Sequence, residues 1–109
     1  MATAESVSPA VDLAAVNASL ASASAEDRIA WAAGHFPGAL VLSSSFGAQA
    51  AVMLSLAPRV VSGIPVVFVD TGYLFPETDR VADELAAQLA LNLRVYHPAL
   101  TPAWLEARH

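Results

Sequence analysis

The chain has 109 residues and a formal net charge of −5, with ten acidic side chains against five arginines and no lysine. That length holds one small domain. The cations Arg28, Arg59, Arg80, Arg94 and Arg108 are too dispersed for the basic stripe of a nucleic-acid footprint, and with no cysteine there is no disulfide, thiolate metal site or thiol nucleophile among these residues.

The hydrophobic fraction of 56% overstates the core, because 24 of the residues are alanine, which buries little area. No basic residue precedes Arg28, and Glu5 and Asp12 interrupt the early apolar residues, so the start does not read as a signal peptide. No apolar run approaches the ~20 residues of a membrane span. A soluble, cytoplasmic chain without a membrane partner is expected. Residues 1–7 read as disordered. Ser8-Pro9 reads as a helix start, a capping serine with proline at the first helical position, and Leu13, Val16 and Leu20 follow at helical spacing. A break at residues 21–24 divides an N-terminal tail and helix, 1–23, from the remaining domain, 24–109. Ser24-x-x-Asp27 is a capping-box pattern with Asp for Glu, and Ile29, Ala33 and Phe36 give a second helix its apolar stripe. Trp31 falls off that stripe, and His35 reads as a surface or helix-end histidine.

Ala39-Leu40-Val41-Leu42 reads as a short buried strand, and Ala48 to Leu56 as a helix apolar nearly all round that ends near Ala57-Pro58-Arg59. Between them stand Ser43, Ser44, Ser45, Phe46 and Gly47. A strand-to-helix turn aims unpaired N–H groups and the positive end of the helix dipole at one point, where a phosphate is a natural occupant. A plainer reading has Ser45 capping the helix and the other serines filling a loop.

Val66-Val67-Phe68-Val69-Asp70 is a β-branched and aromatic run, the pattern of a strand buried on both faces of a parallel sheet. Thr71-Gly72-Tyr73-Leu74-Phe75 follows, then Pro76 opening a helix with Glu77 and Asp79 in its first turn and Val81, Leu85 and Leu89 facing inward. Arg80 is placed to pair with Glu84. Leu91 to Tyr96 is a third strand, ended by His97-Pro98, and Thr101-Pro102 begins a last helix.

The order α, α, β, α, β, α, β, α predicts an α/β fold, a parallel sheet of about three strands with helices on both faces. Ligands of such sheets sit beyond the carboxyl ends of the strands. Ser43–Ser45 and Asp70–Gly72 both fall there, so two polar turns are expected to face one crevice. Asp70 alone reads equally as a cap on its own turn.

Ser-Ser-Ser-Phe-Gly-Ala-Gln-Ala-Ala-Val at 43–52 and Val-Asp-Thr-Gly-Tyr-Leu-Phe-Pro-Glu-Thr at 69–78 resemble the assimilatory 3′-phosphoadenylyl sulfate (PAPS) reductases, and 91–96 and 104–109 continue in register. The resemblance implies an adenine-nucleotide α-hydrolase-like fold, akin to the ATP pyrophosphatases. It implies that Ser43, Ser44, Ser45, Phe46, Gly47 and Gln49 form the substrate loop and Asp70, Thr71 and Gly72 the turn in the same pocket, with Tyr73 and Phe75 as further lining. The 5′-adenylyl sulfate reductases, which use an iron–sulfur cluster, carry Gly-Ala-Glu-Asp where this chain has Gly47-Ala48-Gln49-Ala50, so the match is to the cluster-free type. That type binds no cofactor and takes electrons from thioredoxin or glutaredoxin; a homodimer is left open.

The chain departs from that pattern in two ways. The family's nucleophilic cysteine lies in a C-terminal Glu-Cys-Gly-Leu-His motif with no counterpart here, nor is there a counterpart of its arginine-rich loop. The resemblance is therefore to the N-terminal portion of the domain, and no catalytic residue is assigned. Two other readings are an ATP-splitting enzyme of the same fold, such as a sulfate adenylyltransferase subunit, and a non-catalytic remnant. The first prefers a Ser-Gly-Gly-x-Asp-Ser loop that this chain lacks.

Overall fold

The structure, a computed structural model, describes residues 10–109. The expected disordered start and the Ser8-Pro9 helix start lie outside the described residues. Five helices and three strands follow in the expected order: α1 (Leu13–Ala21), α2 (Ala25–His35), β1 (Leu42–Ser43), α3 (Ala50–Val60), β2 (Pro65–Val69), α4 (Pro76–Gln88), β3 (Asn92–Tyr96) and α5 (Pro102–Arg108). The strands form one sheet in the order β1-β2-β3, all parallel. Leu42 pairs with Val66, and Val69 with Tyr96.

Caps set most helix starts. The side chains of Ser24 and Thr101 accept from Asp27 N and Trp104 N, at 3.0 and 3.3 Å. Pro76 stands at the first position of α4, with Glu77 and Asp79 in its first turn. α1 is capped by Asp12, which accepts from Ala15 N. Its far end is closed by Arg28 of α2, whose guanidinium donates to Leu20 O at 2.9 Å and Ala21 O at 3.0 Å. Those are carbonyls that a helix C-terminus leaves open to a cation.

Residues on one strand alternate between faces. Val66 and Phe68 are buried at 0% and 3% exposure and share one core with Leu54 of α3, Ala82 of α4 and Phe46. Leu42, Leu85, Leu89, Leu91 and Leu93 pack around it. On the opposite face Ser43, Val69, Arg94 and Tyr96 are exposed and Val67 is half-buried. α3 and α4 thus cover the Val66–Phe68 face. The Cα radius of gyration, 17.3 Å, exceeds the roughly 13 Å of a compact domain this long.

Several local expectations are corrected. The Ala39–Leu42 strand shrinks to Leu42–Ser43, and Val41 is 54% exposed, because β1 is an edge with β2 as its neighbour. β2 is buried on one face rather than two. α3 starts at Ala50 and continues through Pro58 to Val60, with Val61 N donating to Ala57 O at 2.8 Å. Burial of Leu54, Leu56 and Ala57 holds that turn despite the lost proline N–H. The helix is not apolar-covered all round: Val52 is 70% exposed. In α4 Ala82, not Val81, is the buried contact. Arg80 pairs with Glu77 at 3.2 Å instead of Glu84, the orientation with the acid N-terminal, which suits the helix dipole.

Candidate functional site

β1 delivers the serines. Ser44 N donates to Val67 O at 3.0 Å, the last ladder bond before the chain leaves the sheet. Ser44 Oγ then accepts from Phe46 N at 3.1 Å, closing a local turn. Phe46 has φ 55°, the left-handed region that bulky residues rarely occupy. Such a residue stores about 1–3 kcal/mol. The offset is packing: its ring is 4% exposed and meets Phe68 edge-on, centroids 5.2 Å apart at 75°. Burial of a Phe contributes about 1.5–3 kcal/mol and an aromatic pair about 0.5–1.5 more. Phe46 is therefore a core anchor for the loop that carries it.

Gly47 O accepts from Ala50 N at 3.0 Å, and α3 begins after Gln49 with no side-chain cap. Ser45 does not cap the helix, which starts five positions later. Ser43, Ser44, Ser45, Gly47 and Gln49 line one open cavity of about 550 Å³ together with Leu42, Ala48, Ala50, Met53 and Leu54. No charged side chain lines it. An anion there would meet hydroxyls, backbone N–H groups and the helix dipole, with no local carboxylate to repel it.

The Asp70–Gly72 turn lies at the end of the neighbouring strand, as the sequence predicts, but the serine cavity is not lined by it. Asp70 Oδ1 accepts from Gly72 N at 2.9 Å, and Thr71 Oγ1 from Tyr73 N at 3.2 Å. Asp70 N donates to Tyr96 O at 2.9 Å. Asp70 instead lines a 220 Å³ cavity with Asp79 and Asp83. Asp79 Oδ1 is buried there without a hydrogen-bond partner. Three carboxylates make that side hostile to phosphate, and among the described residues no cluster of His, Cys, Asp or Glu is arranged to hold a metal. Asp70 thus works by fixing its own turn. Thr71 and Gly72 are exposed, as is Phe75 at 75%.

Two contacts of the turn, the His97 pair and the Tyr73–Pro102 bond, are not legible in the sequence, although Tyr73 is expected as lining. His97 Nδ1 stands 3.8 Å from Asp70 Oδ2, and Tyr73 Oη donates to Pro102 O at 3.2 Å. Parallel pairing of Val69 with Tyr96 makes Asp70 and His97 the next positions on adjacent strands, so the register was the signal. Partial desolvation, then the negative charge of Glu106, push the Tyr73 pKa above the ordinary phenol value. In an ultraviolet alkaline titration Tyr73 should therefore ionise late, and Glu106→Gln should return it toward about 10. An unchanged titration in that variant would remove Glu106 as a cause.

Residues 39–109 match the family described as the phosphoadenosine phosphosulfate reductase domain. The chain belongs to this family. It is 55% identical over 100 residues to the phosphoadenosine 5′-phosphosulfate reductase of Serratia proteamaculans, covering 92% of this chain and 41% of that protein. To the enzyme of the same name from Thiocapsa roseopersicina it is 59% identical over 91 residues, 84% of this chain and 38% of that one. Among solved structures, phosphoadenylyl-sulfate reductase from Candida auris, a phosphate complex, superposes with a TM-score of 0.77 at 23% identity. That match covers 94% of this chain and 52% of the other, and shows the shared fold. The chain spans about two fifths of the length of the relatives it matches. No helix among the described residues is long and apolar enough to cross a membrane.

Proposed function

We propose that this chain is the phosphate- and sulfate-binding portion of a cytoplasmic PAPS reductase. The nucleotide's anionic end sits at Ser43, Ser44, Ser45, Gly47 and Gln49, and the Asp70–Thr71–Gly72 turn, at the end of the neighbouring strand and outside that cavity, is a separate edge of the nucleotide site. The observation that carries the reading is the uncharged serine cavity at the uncapped start of α3, in a chain of this family. That a protein of the same fold was solved with phosphate supports an anion site in the fold.

The reduction needs a thiolate, and these 109 residues contain none. In the proposed reaction a cysteine thiolate from outside them attacks the sulfate sulfur. The bond from that sulfur to the phosphate oxygen breaks, and adenosine 3′,5′-bisphosphate leaves with the electron pair. A thiolate of thioredoxin or glutaredoxin then attacks the cysteine sulfur of the S-sulfocysteine. Sulfite departs with the S–S bonding pair and a disulfide remains. The part played by this chain is to hold the polyanion while two negative groups approach one another. With no cationic side chain in the cavity, backbone dipoles and hydroxyls supply that hold, so binding by this chain alone is weak.

Calorimetry and thermal shift on the 109-residue chain test the reading. PAPS and adenosine 3′,5′-bisphosphate should both bind and raise the melting temperature, while ATP should not. Ser44→Ala removes the acceptor of Phe46 N and should weaken PAPS binding about 2- to 10-fold, the range of one hydrogen bond. Stabilisation by ATP but not by the bisphosphate would instead mark an ATP-splitting site.

A further inference from the structure

The Asp70–Gly72 turn is braced from outside its own strand. Gly72 has φ +85°, and a Cβ placed on it would meet Pro102 Cγ at 2.7 Å and Cδ at 3.1 Å. The pyrrolidine ring therefore lies against the backbone of the turn, closer than any side chain at position 72 would permit. One residue later, Tyr73 Oη bonds the carbonyl of the same proline. Pro102 is the first residue of α5, and its place is set by Thr101, which caps that helix through Trp104 N. On the other side, Asp70 N is tied to Tyr96 O. Contacts before, within and after the turn all come from the β3–α5 segment.

We propose that the start of α5 is a clasp on the candidate site, with Pro102 the seat for Gly72 and Tyr73 the tie, so that both are positioning residues for the Asp70–Gly72 turn. The proposal rests on the reading of this turn as part of the nucleotide site for its functional consequence, but not for its physical content. Asp70, whose carboxylate holds Gly72 N, fixes the turn internally; the clasp fixes where the turn stands relative to the end of β2. A turn released from Pro102 retains its internal bonds and loses its place.

Two measurements on Tyr73→Phe and Pro102→Ala test this in the 109-residue chain. The first needs no ligand: amide hydrogen exchange at Gly72 and Tyr73 should quicken several-fold in both variants, while Val66, Val67 and Phe68 in β2 exchange as before. Unchanged exchange at 72 and 73 overturns the clasp, as does quickening spread evenly across the sheet, which would mark a general loss of stability. The second is PAPS affinity, which should fall up to about tenfold in Tyr73→Phe, where one hydrogen bond is lost. Wild-type affinity in both variants, with PAPS bound by the parent chain, overturns the positioning role. Failure of the parent chain to bind PAPS sinks the proposed function, and the exchange result then decides the clasp by itself.

Discussion

Incubated with PAPS and reduced thioredoxin, the purified 109-residue chain should release no sulfite. The reason is chemical rather than conformational. The proposed reaction begins with a thiolate attacking the sulfate sulfur, and no cysteine occurs in the sequence. Hydroxyls are present in number, but a serine oxygen attacking that sulfur would transfer the sulfuryl group without reducing it, and no second thiol could then release sulfite. The effect is total, so detection of sulfite above a protein-free control would refute it. Nucleotide binding is a separate matter. If the chain binds PAPS in the assay yet yields no sulfite, recognition does not need the thiolate that reduction needs.

A second large effect is expected at Phe46. Phe46→Ala removes a ring that is 4% exposed and packed edge-on against Phe68. Truncating a buried Phe costs about 3–5 kcal/mol, a large share of the roughly 5–15 kcal/mol that stabilises a small domain. The change also leaves alanine at φ 55°, where strain persists and the packing that offset it has gone. Phe68→Ala serves as the comparison. Both variants should lose similar stability in urea unfolding. Phe46→Ala should also abolish PAPS binding under conditions where the chain is still folded, since the serine loop loses its anchor, whereas Phe68→Ala should leave weakened binding. Equal retention of binding in the two would show that the loop keeps its shape without the ring.

The fold was legible wherever a signal was local. The alternation of apolar runs gave the element order, and Ser24, Pro76 and Thr101 mark three helix starts through capping chemistry that needs no tertiary partner. Burial was less legible, because it depends on what covers a residue. Val41 and Val69 belong to apolar runs that read as buried, yet they are 54% and 57% exposed, one at an edge strand and one on the uncovered face. The sequence places the end of α3 near Ala57-Pro58-Arg59, and the core contacts of Leu54, Leu56 and Ala57 carry the helix through Pro58 to Val60. In α4 the inward position went to Ala82, whose small side chain allows close approach, rather than to the larger Val81.

The site divides in the same way. The two turns were recognisable as motifs, and their place at the ends of adjacent parallel strands followed from the alternation. What the sequence could not show was which atoms each turn spends on itself. Ser44 Oγ and Asp70 Oδ1 both accept backbone N–H groups two residues on, so each is partly committed before a ligand arrives. The acids Asp79 and Asp83, spaced along α4, meet Asp70 only through the packing of that helix on the sheet. Contacts of that kind leave no periodicity to read.

The left-handed Phe46 also constrains how this loop could change. Because one residue sets both the path of the loop and the packing of the sheet, a serine loop transplanted from another protein would need a large apolar residue in the same uncommon backbone conformation. Ligand preference at this position can therefore shift by exchange of hydroxyls around the phenylalanine far more readily than by replacement of the loop as a unit.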